Sequence, residues 1–62
     1  PWFEVALAYA QLGELDRAFE CLEQAYLTRS AWMPYLKVET RLDPLRADPR
    51  FKALLDRMAF PR

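Results

Sequence analysis

The side chains equipped for chemistry are few. The chain has no His, a single Cys at position 21 and one Gly, at position 13. Cys21 stands between Glu20 and Leu22, beside an apolar helical stripe, with no His or nearby Lys to favour its thiolate. It is read as a small half-buried hydrophobe, and a lone cysteine makes no internal disulfide. Ser30 has no base to activate it, and no glycine-rich loop exists to cradle a phosphate. Glu20 and Glu23 are the nearest approach to an acid–base dyad, but two carboxylates one turn apart on a polar helix face stay solvated and ionised. Nucleophilic, metal and phosphate chemistry therefore lack their parts. No enzyme activity, cofactor, metal or small-molecule substrate is expected, and the sequence points to binding.

Binding surfaces need elements to carry them. From Trp2 to Tyr26 the chain reads as two amphipathic helices folded back on each other at Leu12-Gly13. Trp2, Val5, Ala6 and Tyr9 recur at helical spacing before the turn, and Leu15, Ala18, Phe19, Leu22, Ala25 and Tyr26 after it. Gly13 suits the left-handed residue that closes a first helix, and so short a link makes the helices antiparallel neighbours. The first helix is expected over about residues 2–12, the second over about 14–28. Glu14 and Asp16 at the start of the second and Arg29 at its exit suit the helix dipole.

The hairpin resembles the tetratricopeptide repeat, whose pattern is W-x2-L-G-x2-Y, then A-x3-F, then P. Trp2, Val5-Ala6, Tyr9, Ala18 and Leu22 stand at those spacings, and Gly13-Glu14-Leu15 is similar to the family's turn. The departures are Val5-Ala6 for Leu-Gly, Leu22 for the aromatic and Ser30 for the closing Pro. The resemblance implies a protein- or peptide-binding module in which Phe3, Leu7, Ala10 and Gln11 line a groove. With Trp2 they form the candidate face for a partner or for self-association. The same face could instead be covered by a preceding repeat or by the chain's own tail. No Lys, Arg or Asn stands at these positions, which disfavours capture of a peptide's terminal carboxylate.

A repeat length of about 34 residues carries Trp2 and Tyr9 to Leu36 and Asp43, and with Pro34 and Pro44 in the interval the hairpin is not expected to recur. Residues 30–40 read as irregular, although Pro34 could open a short helix. Trp32, Tyr35, Leu36 and Val38 are expected to lie against the hairpin. Asp43-Pro44 and Asp48-Pro49 each suit a helix start, with Asp as cap and Pro in the first position. The first yields a single turn; the second opens a helix over about 49–58 with Phe51, Leu54, Leu55 and Met58 on one face, ended by Pro61. Such a helix would cap the hairpin. The tail also resembles the ending of many bacterial multidomain signalling proteins, in which these repeats follow a kinase, nucleotide cyclase or winged-helix domain.

Charge divides with the elements. Residues 1–28 hold five acids against Arg17, and residues 29–62 eight bases against four acids, so the halves attract while the chain is neutral. Asp43, Asp48 and Asp56 interleave with the tail's bases and disfavour nucleic acid as a partner. No apolar run spans a bilayer and no signal-peptide pattern is present, so a soluble, cytoplasmic location is expected. The start at Pro1 within an apolar segment suggests the C-terminal piece of a longer protein. The expected fold is all-α: a tetratricopeptide-like hairpin over 1–29, then a tail over 30–62 with an irregular segment, a helical turn and a capping helix. The expected function is a protein–protein interaction module, the terminal repeat and cap of a bacterial signalling protein; the alternative is a purely structural cap or self-association element.

Overall fold

The computed structural model describes residues 1–59, and the expected stop at Pro61 lies outside them. Helix α1 spans Trp2–Gln11 and α2 spans Leu15–Leu27. Between them the chain turns by hydrogen bonds from Gly13 N to Ala10 O (3.1 Å) and from Glu14 N to Tyr9 O (3.0 Å). These are the paired bonds of a Schellman closure, and Gly13 occupies the left-handed position at φ 77°. The connection leaves room only for an antiparallel hairpin, as expected from the sequence. Ala6, Ala10, Ala18 and Ala25 are all buried between or beneath the helices, where small side chains permit close approach.

Helix α2 ends by the same device with a less suitable residue. Arg29 N bonds Tyr26 O and Ser30 N bonds Ala25 O, which puts Arg29, at φ 57°, in the left-handed position that Gly13 fills at the first turn. Arg29 thus lies beyond the helix, as its terminator.

The tail departs from expectation in its regularity. Residues 30–40 are helical over much of their length: 3₁₀ helices span Met33–Lys37 and, from their last residue onward, Thr40–Leu45. A 3₁₀ helix eclipses side chains three apart. Met33, Leu36, Leu42 and Leu45 therefore share one side and are buried, the last three completely. Trp32, Tyr35 and Val38 share the other side and stand exposed, so of the four residues expected to lie against the hairpin only Leu36 is buried, while Trp32 and Tyr35 flank Phe3 at its edge.

The first Asp-Pro step also behaves differently. The second 3₁₀ helix starts at Thr40 and carries Pro44 inside it. Its cap is Glu39, whose carboxylate accepts from Arg41 N at 3.1 Å. Pro44 is tolerated because so short a helix asks little of its missing N–H. The second step acts as expected. Asp48 Oδ1 accepts from Arg50 N at 2.9 Å, and α3 runs Pro49–Ala59 from that cap.

Helix α3 buries Phe51 and Leu54 and lies along α2. Arg50 reaches Asp16 at 2.9 Å, and Arg57 grips Glu23 through two bonds of 2.6 and 2.9 Å. The contacts advance together, so α2 and α3 run parallel. Both link residues 34 apart in the sequence. The second 3₁₀ helix packs on α1. The course of the hairpin is thus followed by a second layer, with a 3₁₀ segment in place of its first helix, although the side-chain pattern does not recur. Every described element is helical, and none is long and apolar enough to cross a membrane.

Candidate functional site

The residues expected to form one face are divided between two. Phe3, Leu7 and Ala10 are buried with Ala6, and Thr40–Leu45 packs over this side of α1. Gln11 is exposed but engaged, its Nε2 donating to Arg41 O at 2.9 Å. What was expected as a groove is therefore the seat of the chain's own tail. The physical reason is volume: Leu42 and Leu45 need a dry floor, and this side of α1 supplies it.

Trp2 points elsewhere. It is 45% exposed and Val5 38% exposed, so the first part of the Trp2-Val5-Tyr9 stripe expected inside the hairpin stands on its outer side instead, while Tyr9 stays half-buried against the core. There an open groove of about 760 Å³ runs between Trp2 and Tyr9 on α1 and Arg17, Glu20, Cys21 and Gln24 on α2. The Arg17 guanidinium lies 5.9 Å from the centre of the Tyr9 ring, which gives the groove one cationic edge against an aromatic wall. The floor is inert. Cys21 is buried, and burial, then the Glu20 charge, push its thiol up from the ordinary value, which keeps it protonated. Among the described residues no group of three or more Asp, Glu, Cys or His side chains is arranged to hold a metal ion.

The α2–α3 seam shows what this chain does with charge. Arg50 lies 4.4 Å from the centre of the Phe19 ring while bonded to Asp16 and Asp48; Arg57 lies 4.6 Å from that of Tyr26 while bonded to Glu23. Each clamp is an arginine laid over an aromatic ring with a carboxylate three residues before that ring, and the two are seven residues apart on both helices. The Arg57 hydrogen bonds hold Glu23 below the usual carboxylate range. The charge division seen in the sequence is thereby given atoms. The aromatic half of each clamp was missed, although a carboxylate and an aromatic at i, i+3 opposite an arginine was the available signal.

A smaller recess of about 200 Å³ opens where the first 3₁₀ helix meets the start of α1, between Phe3, Trp32 and Tyr35, with Glu4, Glu39 and Arg41 at its rim. No sequence signal singled it out, because its parts come from three elements. No known family model, curated protein or solved structure matches the chain.

Proposed function

We propose that the chain is a protein–protein interaction module, the repeat-like terminal unit of a bacterial signalling or regulatory protein, in which the tail closes one side of the hairpin and the opposite side receives a partner. The observation that carries this is the asymmetry of α1. Its Phe3-Ala6-Leu7-Ala10 side is buried within the chain, whereas Trp2 and Val5 stand open beside the groove between the two helices. A half-exposed Trp in a concave, partly apolar surface is the kind of anchor that protein interfaces use. The resemblance of the hairpin to the tetratricopeptide repeat supports the same reading. The second layer supports the capping part of it, since α3 spends Arg50 and Arg57 on α2 and turns Lys52 and Asp56 outward.

The test is a photo-crosslinking residue in place of Val5, which is on the open side and makes no buried contact that the fold needs. An adduct whose mass is not a multiple of the 7.3 kDa chain supports the partner reading. Adducts only at multiples of that mass would transfer the surface to self-association, and none above a control with the photo-residue at exposed Lys52 would refute both.

A further inference from the structure

We propose that the recess between Phe3, Trp32 and Tyr35 receives an arginine side chain of a protein partner; the assignment rests on the reading of the chain as a binding module.

The walls come first. Trp32 and Tyr35 are 51% and 52% exposed, their ring centres are 5.5 Å apart and their planes tilted by 44°. They form an aromatic wedge over Phe3, held by a short helix whose other side, Met33 and Leu36, is anchored in the core. Exposed aromatic faces carry negative potential and attract cations. The rim adds to this. Glu39 is fully engaged by Arg41, through bonds of 2.8 and 3.1 Å from the guanidinium and one from the backbone N–H. Glu4, by contrast, makes no ion pair and no side-chain hydrogen bond among the described residues, so the recess keeps one uncompensated negative charge.

The identity of the cation follows from the rest of the molecule. Arg50 over Phe19, Arg57 over Tyr26 and Arg46 over Phe51 each place a guanidinium on a ring while bonding a carboxylate. Trp32, Tyr35 and Glu4 supply the rings and the carboxylate of that arrangement without its arginine. A planar guanidinium stacks on an aromatic face and pairs with a carboxylate at once, which an ammonium does less well. A space of about 200 Å³ suits one side chain and is too small for a helix.

The probe is N-acetyl-arginine amide, titrated into the isotopically labelled 62-residue chain while the two indole N–H resonances are followed. Trp2→Phe assigns them. The Trp32 signal should shift saturably and the Trp2 signal should stay. N-acetyl-citrulline amide, of the same shape but uncharged, should produce no shift. Glu4→Gln, at an exposed position with no partner to lose among the described residues, should weaken binding by up to about five-fold, and Trp32→Ala should abolish it with the helical circular dichroism unchanged. Equal shifts with citrulline, equal or tighter binding of N-acetyl-lysine amide, or parallel drift of both indoles would each overturn the assignment. Partner capture at position 5 without any Trp32 response would overturn the arginine site alone and leave the binding-module reading in place.

Discussion

Replacing Leu36 by Ala tests whether the tail is part of the core. Leu36 has no exposed surface, although it stands in a stretch whose sequence looks irregular, and two residues on Val38 is 70% exposed. Truncating a fully buried Leu loses its transfer free energy and leaves a cavity, together about 2–5 kcal/mol. Truncating an exposed Val changes little, within about 0.5 kcal/mol. The whole chain can hold only a few kcal/mol, since stability of roughly 0.05–0.15 kcal/mol per residue amounts to about 3–9 kcal/mol at this length. A loss of ~3 kcal/mol corresponds to a fall in Tm of about 12–24 °C in a domain of this size. Thermal circular dichroism of Leu36→Ala and Val38→Ala side by side is the assay. Leu36→Ala should melt far lower or be unfolded at room temperature, while Val38→Ala should melt with the parent. Comparable melting of the two would mean that the first 3₁₀ helix is not docked and that the core is the hairpin alone.

Arg29→Gly should raise stability by about 1 kcal/mol, because the left-handed backbone at Arg29 strains a side chain and its guanidinium makes no ion pair among the described residues; an unchanged urea midpoint would remove the strain argument. The Glu23–Arg57 pair, both partly exposed, should give a coupling of about 0.5–1 kcal/mol in a double-mutant cycle with Gln and Met, and zero coupling would mean that α3 is held by Phe51 and Leu54 without the clamp. Stability should fall in acid. The Arg41 hydrogen bonds hold Glu39 down from the usual 4.5 to about 2, and Arg50 and Arg57 hold Asp48 and Glu23 low in the same sense. Their folded-state values lie below the unfolded ones, so the contribution is complete above about pH 4.5 and is lost as pH drops toward 2, and Glu39→Gln should flatten the decline in Tm. A Tm that holds or rises over that interval would contradict the assignment.

The hairpin and α3 were legible because each is announced locally. Gly13 marks a helix end, Asp48-Pro49 marks a helix start, and the apolar spacing between such marks is helical. Which side of α1 faces inward was not legible, because α1 is apolar on both sides and local sequence offers Trp2-Val5-Ala6-Tyr9 and Phe3-Leu7-Ala10 on equal terms. The decision belongs to Leu42 and Leu45, more than thirty residues away, which cover the second set. Side-chain size pointed the wrong way, since the large Trp2 remains half outside while alanines line the closest contacts. The tail hid its order in a different period. Met33, Leu36, Leu42 and Leu45 fall every third residue, with Glu39 completing the series as the cap, and a search for a spacing of 3.6 or 2 passes over them.

The direction of α3 needs an explanation that charge does not give. Asp16 and Glu23 are seven residues apart, as are Arg50 and Arg57, so a helix docked the other way round would pair Arg50 with Glu23 and Arg57 with Asp16 and satisfy the same charges. The return path chooses between the two. Gln11 ends α1 beside the hairpin turn, and its amide holds Arg41 O at 2.9 Å, which brings the tail back to the turn before α3 begins. From there, with Leu42 and Leu45 sunk into the core, Asp48 caps the next helix beside the first turn of α2, and the chain can only run along α2 in the same direction. Leu42 and Leu45, with the Gln11 bond beside them, therefore set the level at which the second layer meets the first, and the clamps lock a register that the tail has already selected.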